Sequence, residues 1–145
     1  GKLLTMAESR YILIEFDPSA PFSFIYKAIR ECTSEGYSPI IAHVERYLSV
    51  REKGRTDELT GQGAYLQMNY RSISGGWRSS TTRWCREMLK EKKIHFLGTD
   101  MHNMTTRKPE ITPAYDWLNK HLEADYLRRI TKENAKMILS DKKIH

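Results

Sequence analysis

Side chains that can bind a metal ion follow three of the apolar runs in this sequence. Glu15, His43, and the pair Asp100 and His102 each come at the end of such a run. Near-continuous apolar runs of this length are typical of strands that are buried on both faces of a parallel sheet. The carboxyl ends of parallel strands meet at one edge, where α/β barrels carry their chemistry. The pattern therefore predicts a site at which imidazole and carboxylate groups bind Mn, Zn or Fe.

Each of these four residues also has an ordinary structural interpretation. Asp100 can cap the turn after its strand, which leaves His102 as a surface histidine, and His43 can be a hydrogen-bonded residue at the sheet edge. If the backbone stays extended, however, Asp100 and His102 point to the same face and can reach one metal. Glu15 stands between two apolar residues, so we expect it to be buried. A buried carboxylate requires a cation or an arginine as its partner.

Two arginines follow the candidate ligands closely enough to serve the same site. Arg46 lies three residues after His43, and Arg107 lies five residues after His102. A guanidinium group can pair with two phosphate oxygens at once, so these positions indicate a phosphate-bearing substrate. The alternative interpretation is surface ion pairing, which for Arg46 would involve its neighbour Glu45.

The remaining histidines and both cysteines are predicted to lie outside the site. His95 begins a strand and so lies at the wrong edge, His121 belongs to a helix, and His145 is terminal. Cys32 and Cys85 both fall in predicted helices, with no spacing typical of zinc or disulfide frameworks, which indicates packing thiols in a reducing compartment. Neither cysteine is followed six residues later by arginine, so cysteine-based phosphatase chemistry is disfavoured.

Strand and helix patterns alternate along the chain, which predicts one α/β domain over residues 1–145. Apolar residues recur at helical spacing after Pro21 until Gly36, and glycine is common just beyond helix ends. This segment joins two strands, and such β-α-β connections are almost always right-handed. A charged helical stretch is predicted over residues 45–61, interrupted by Gly54, and further helices over residues 79–93, 113–122 and 131–139. We expect Thr131 to be the N-cap of the last helix.

Composition and charge argue against several other classes of protein. A hydrophobic content of 39% with 29% charged residues is ordinary for a globular protein. No apolar run approaches the roughly 20 residues needed to cross a bilayer, so we expect a cytoplasmic protein without a membrane span. The formal charge is +6, but basic residues are interspersed with acids, as in residues 90–93. This mixing favours a solvated surface that attracts anionic substrates and disfavours nucleic-acid binding.

Four segments, read together, resemble one known family. They cover residues 11–16, 41–47, 66–69 and 96–109 and include the motifs A-H-x-E-R-Y and D-M-H-N followed by R-x-P. On these motifs the chain resembles the bacterial protein-tyrosine phosphatases of the PHP (polymerase and histidinol phosphatase) superfamily, which are encoded with capsule and exopolysaccharide genes. The resemblance implies a distorted β/α barrel that holds a cluster of two or three divalent cations, commonly manganese.

The resemblance also implies roles for particular residues. Glu15, His43, Asp100 and His102 fall on metal-ligand positions of the family, and Arg46 and Arg107 on positions that would hold phosphate. The implied reaction is hydrolysis of phosphotyrosine on the tyrosine kinase that controls polysaccharide chain length and export.

One part of the family pattern has no counterpart in this sequence. Family members begin with a strand bearing His-x-His, and further His and Glu ligands precede the segment that matches residue 11. The chain therefore resembles the C-terminal part of the family domain, which predicts a partial barrel without the N-terminal strands. Fewer ligands predict weaker metal binding and doubtful catalysis by the isolated chain. An unpaired sheet edge could pair with a second copy as a homo-oligomer.

Two alternative functions follow from the same residues. One is a PHP phosphoesterase that acts on a small phosphate monoester such as histidinol phosphate, since the same metals would serve. The other is a non-catalytic module that binds a phosphopeptide at the sheet edge without hydrolysing it.

Overall fold

Four parallel strands form the sheet in the computed structural model, which describes residues 9–76, 78–98, 111–140 and 144. They are β1 (Tyr11–Ile14), β2 (Ser38–Ile41), β3 (Tyr65–Asn69) and β4 (Phe96–Gly98). They lie side by side in chain order, and each neighbouring pair is parallel. The predicted parallel α/β architecture is confirmed, and the carboxyl ends of all four strands lie at one edge of the sheet.

Helices connect these strands and follow the last one. The connections contain α1 (Phe22–Ser34), α2 (Arg55–Gly61) and α3 (Ser80–Lys90). After β4 come α4 (Ile111–His121), α5 (Ala124–Arg128) and α6 (Asn134–Leu139), with a π-helical turn over Arg129–Glu133 between the last two. Within the described residues, three short 3-10 turns cover Val44–Arg46, Leu48–Val50 and Tyr70–Ile73. None of the helices in the described parts of the chain is long and apolar enough to cross a membrane.

The first long helix forms where its apolar spacing predicts it. Ile25, Ile29 and Cys32 recur on one face of α1 and are buried against the sheet. The helix ends just before Gly36, whose φ of 90° lies in the left-handed region that glycine adopts without strain. The chain can therefore reverse at once into β2.

Helix α3 begins with a side-chain cap and packs through its apolar face. The backbone N–H of Thr82 donates to Oγ of Ser79 at 3.2 Å, which satisfies one of the unpaired N–H groups of the first turn. Cys85, Met88 and Leu89 are buried on the inner face. Lys90 is the last helical residue, so the helix ends three residues before the predicted boundary.

Alternate residues of the strands enter two apolar clusters on opposite faces of the sheet, as the period of two requires. The larger core cluster, which also contains buried residues of α1 to α5, includes Ile41, Leu66 and Leu97. The residues just before them belong to the cluster on the other face: Ile40, Tyr65 and Phe96. Strands β2 to β4 are thus buried largely as predicted. Strand β1 differs, because Leu13 is 37% exposed at the edge of the described sheet.

Two further helical predictions are wrong. The charged stretch after His43 forms two 3-10 turns, and a true helix begins only at Arg55, after Gly54 with a φ of 84°. Thr131 is not an N-cap, because the helical backbone already runs from Ala124 through the π turn. Its hydroxyl donates instead to the carbonyl of Leu127 at 2.6 Å, as threonine does inside a helix.

Candidate metal and phosphate site

Polar side chains from three neighbouring strands meet at the carboxyl edge of the sheet. Nε2 of His43 lies 3.8 Å from Oε1 of Glu15. The backbone N–H of His43 donates to Oε1 of Gln67, and Nε2 of Gln67 donates to Oδ1 of Asn69 at 3.3 Å. Gln67 and Asn69 lie on the same face of β3 as Tyr65, because side chains two apart share a face. This face is therefore apolar at its amino end and polar at its carboxyl end.

The backbone of His43 turns sharply and directs its ring toward Glu15. His43 has φ 36° and ψ 60°, a left-handed conformation that is uncommon for a residue with a side chain. Its ring lies 6.2 Å from the ring of Tyr47, measured between centroids. The hydroxyl of Tyr47 accepts a hydrogen bond of 3.1 Å from the backbone N–H of Phe16, next to Glu15. Tyr47 therefore ties the ends of β1 and β2 together below the two candidate ligands.

The structure brings Glu15 and His43 together, but it corrects the predicted burial of Glu15. The Glu15 side chain is 63% exposed, and the His43 side chain is 16% exposed. The apolar neighbours of Glu15 point to the opposite face, where Ile14 and Phe16 pack against the larger core cluster. Burial of the strand residues therefore says nothing about the carboxylate between them. Glu15 therefore needs no cation to offset burial.

The buried carboxylate in this region belongs to Glu45, which is only 2% exposed. Its Oε2 accepts hydrogen bonds from the backbone N–H of Asn69 at 3.2 Å and from Oγ of Ser72. Among the described residues, its Oε1 has no hydrogen-bond partner. Burial raises the pKa of the Glu45 carboxyl, and the hydrogen bond from Ser72 opposes that rise. Arg51 fixes the same turn by donating from Nε to the carbonyl of Glu45 at 3.0 Å.

Sequence reasoning gave Glu45 only a supporting place and did not identify Ser72. The position of Glu45 between Val44 and Tyr47, both fully buried, is a signal that could have indicated an inward-facing carboxylate. Ser72 carries no such signal, because its partner lies 27 residues away in the chain.

Arg46 is exposed at the end of the 3-10 turn that begins after His43. This turn follows the end of β2, and the phosphate-binding role of Arg46 stays a prediction. Asp100, His102 and Arg107 lie outside the described residues. Within the residues that the structure does describe, no group of three or more His, Cys, Asp or Glu side chains could hold a metal ion.

Three residues predicted to lie outside the site do so in the structure. Nδ1 of His95 accepts a hydrogen bond of 3.0 Å from the backbone N–H of Leu66, at the amino end of β4. Burial lowers the pKa of His95 to about 4, so the ring is neutral near pH 7. Both cysteines are buried within helices. The pKa of the Cys85 thiol is raised by burial and then by the charge of Glu45, which disfavours a reactive thiolate.

The described pair of candidate ligands fits a divalent cation in chemical type and spacing. An imidazole nitrogen and a carboxylate oxygen that both bind one cation at about 2.0–2.2 Å can lie nearly 4 Å apart. The separation of 3.8 Å between Nε2 of His43 and Oε1 of Glu15 falls within that limit. Mixed imidazole and carboxylate donors suit Mn, Fe or Zn.

The parallel strands and the helices between them define an α/β protein. Its imidazole and carboxylate groups face each other at the carboxyl edge of the sheet, the edge at which α/β barrels carry their sites. The sequence profile of the family described as "Capsular polysaccharide synthesis, CpsB/CapC" matches residues 1–140. The chain therefore belongs to the CpsB/CapC family.

Individual relatives agree with this assignment. The chain is 32% identical over 147 residues to the tyrosine-protein phosphatase CpsB of Streptococcus pneumoniae, covering 97% of this chain and 60% of that protein. It is 28% identical over 144 residues to the tyrosine-protein phosphatase YwqE of Bacillus subtilis, covering 99% of this chain and 56% of that protein. The chain thus spans about 60% of the length of the curated relatives it matches.

The fold also matches a solved structure. The match has a TM-score of 0.80 at 26% identity and covers 98% of this chain and 57% of the other. The matched structure is described among the crystal structures of YwqE from Bacillus subtilis and CpsB from Streptococcus pneumoniae, "unique metal-dependent tyrosine phosphatases". The predicted family and the predicted PHP-type α/β fold are both confirmed.

Proposed function

We propose that this chain supplies part of the metal and substrate site of a metal-dependent phosphotyrosine phosphatase, at the carboxyl edge of its sheet. The observation that carries the proposal is the 3.8 Å approach of His43 Nε2 to Glu15 Oε1 at the ends of adjacent parallel strands. The exposed Arg46 lies just beyond His43 on the same edge. The names of the relatives as tyrosine-protein phosphatases support this choice over a small-molecule phosphoesterase.

Glu15 and His43, together with Asp100 and His102 beyond the described segments, would hold the divalent cations, with manganese as the first choice. A bound cation would neutralise charge that develops on the phosphoryl oxygens and would make water a better nucleophile. The protein presets the position of His43, because Gln67 fixes its backbone and Tyr47 flanks its ring. This preorganisation reduces the rearrangement needed when substrate binds.

Arg46 and Arg107 would hold the phosphate of the substrate. A guanidinium fork can donate to two phosphoryl oxygens and so orient the ester bond for attack from the opposite side. The backbone at Arg46 is well placed for this role, because the buried Glu45 anchors the turn through Asn69 and Ser72.

The proposed substrate is the phosphotyrosine-bearing tail of a bacterial tyrosine kinase of polysaccharide export, and the reaction would take place in the cytoplasm. The family description as capsular polysaccharide synthesis supports this choice. In the same proposal, residues 1–145 are one domain that corresponds to the C-terminal portion of a PHP phosphatase domain.

Phosphate release from a phosphotyrosine peptide tests the proposal. We expect manganese to support hydrolysis and a chelator to abolish it. His43→Ala and Arg46→Ala should each lower kcat/KM about 100-fold, the effect typical of losing one group that stabilises transition-state charge. Lys136→Ala is the matched control, because Lys136 is exposed on α6 and should leave hydrolysis unchanged.

Three outcomes separate the alternatives. Faster turnover of histidinol phosphate than of the peptide would favour a small-monoester phosphatase. Peptide binding without phosphate release in excess manganese would favour a binding module. Hydrolysis that survives both the chelator and His43→Ala would refute the proposal.

A further inference from the structure

One stretch of the chain departs from the general mixing of charges. Residues 59–86 contain four arginines and no aspartate or glutamate, whereas the whole chain has 24 basic and 18 acidic residues. The stretch includes β3, the 3-10 turn that follows it and most of α3. A single-sign segment of this length creates a local positive field that attracts anions.

A chain of hydrogen bonds ties this stretch to the candidate site. Oγ of Ser72 donates to the carboxylate of Glu45, Oγ1 of Thr82 donates to the carbonyl of Ser72 at 2.9 Å, and Oγ of Ser79 accepts from the N–H of Thr82. We call these four residues the rim network. They fix two chain segments, the 3-10 turn after β3 and the start of α3, against the turn that follows His43.

Each member of the rim network has an exposed arginine as its immediate neighbour in the chain. Arg46 follows Glu45 and belongs to the proposed phosphate site. The other three form what we call the arginine surface: Arg71, Arg78 and Arg83. Glu45 and Thr82 are buried and Ser72 and Ser79 are half-buried, whereas the neighbouring arginines are all exposed. The fourth arginine of the stretch, Arg86, is half-buried and is not counted in this surface.

We propose that the arginine surface binds acidic residues that flank the phosphotyrosine in a peptide substrate. The inference rests on the proposed function, because it takes the Arg46 end of the rim as the phosphate site. An extended peptide advances about 3.3 Å per residue, so residues next to the phosphotyrosine pass over the neighbouring rim. Guanidinium groups there can pair with aspartate and glutamate side chains. The surface therefore selects peptides by the charge beside the phosphorylated residue.

The aromatic residues described in this stretch favour a peptide over single-stranded nucleic acid. Binding of single strands relies on exposed aromatic faces on which bases stack. Tyr70 is buried and stacks on Tyr115, with centroids 5.3 Å apart. Trp84 is half-buried against the core, and the Arg51 guanidinium lies 5.9 Å from its ring centroid. Tyr70 and Trp84 therefore both pack against other residues of the chain, which disfavours stacking of bases on them.

Binding of two labelled phosphotyrosine peptides to the full chain tests the proposal. One peptide has Asp and Glu flanks, the other Ser and Gly flanks, and fluorescence anisotropy gives Kd at low and at physiological salt. We expect the Arg71→Gln, Arg83→Gln double variant to bind the acidic peptide about tenfold more weakly at low salt, because several exposed charge pairs are lost together. Binding of the neutral peptide should change less than about twofold.

The matched control removes two positive charges elsewhere, by Lys132→Gln with Lys136→Gln. These exposed lysines flank Asn134, which donates to the carbonyl of His95 at the amino end of β4. The control should leave the affinity for both peptides unchanged.

Several results would overturn the arginine surface. One is a wild type that binds the two peptides with equal affinity or binds neither. Another is an equal loss of affinity for the acidic peptide in the arginine and lysine variants. A third is tighter binding of a single-stranded oligonucleotide than of the acidic peptide. An unphosphorylated acidic peptide separates the two proposals. If it binds through Arg71 and Arg83 while no phosphopeptide is hydrolysed, the surface stands and the phosphatase proposal fails.

Discussion

Acidification should destabilise this protein through His95. The folded state holds the His95 ring neutral, with a pKa of about 4, because burial disfavours the imidazolium form. Nδ1 of His95 also accepts a hydrogen bond from the backbone N–H of Leu66, which requires that Nδ1 carry no proton. An unfolded chain would bind a proton at His95 with a pKa of about 6.5. Between these two values the unfolded state binds more protons, so the free energy of unfolding falls as the pH falls.

The size of the effect follows from the two pKa values. A tenfold change in proton affinity corresponds to about 1.4 kcal/mol, so the interval from 6.5 to about 4 is worth about 3 kcal/mol. Urea unfolding at several pH values between 7.5 and 4 measures it, with His95→Asn as the matched variant, since an asparagine oxygen can still accept the N–H of Leu66. The unfolding free energy of the wild type should fall about 3 kcal/mol more than that of the variant. Parallel pH profiles for the two proteins would refute the reasoning.

Two further predictions concern the rim network. Glu45→Ala should lower the unfolding free energy by about 2–4 kcal/mol, because it leaves the N–H of Asn69 and the hydroxyl of Ser72 without their acceptor. Glu45→Gln retains an acceptor oxygen, so its loss of unfolding free energy in urea should be less than half as large. Equal losses in the two variants would contradict the role of these hydrogen bonds. Gly75→Ala places a Cβ in steric conflict with Oγ1 of Thr82 and should lower the unfolding free energy by about 1–3 kcal/mol, whereas Gly76→Ala, with nothing within 4 Å of its Cβ, serves as the control. Similar thermal unfolding of the two alanine variants would show that the chain relaxes around the contact.

The sequence predicted the strands and their shared edge because burial leaves a local signature. Parallel strands covered on both faces must be apolar at nearly every position, so β2 and β3 can be recognised without knowing their partners. Once the strands are parallel, their carboxyl ends must lie together, which brings Glu15 beside His43. Helix α1 was predictable for a similar reason, since Ile25, Ile29 and Cys32 repeat at the helical period.

The features that were mispredicted depend on contacts that no local pattern specifies. Glu15 has apolar neighbours on both sides, yet its own side chain follows the other face of the strand and is exposed. The carboxylate that is buried, Glu45, depends on Ser72 from a distant segment. Thr131 has the residue type of an N-cap but lies inside a helix, because the preceding residues from Ala124 are already helical. For the two carboxylates the decisive contact is remote in sequence or lies on the opposite face of the strand, whereas for Thr131 it is the helical conformation of the residues just before it.

The turn at residues 43–46 places three nearby side chains in three different environments. A left-handed conformation at a residue with a side chain costs about 1–2 kcal/mol, so His43 needs compensation. The hydrogen bond from its N–H to Gln67 and the anchoring of Glu45 by Asn69 and Ser72 provide it. The tight 3-10 turn then separates consecutive side chains by large angles. His43 therefore faces the ligand edge, Glu45 enters the core and Arg46 stays in solvent. The left-handed residue His43 and the anchored 3-10 turn that follows it therefore determine together the arrangement of this edge.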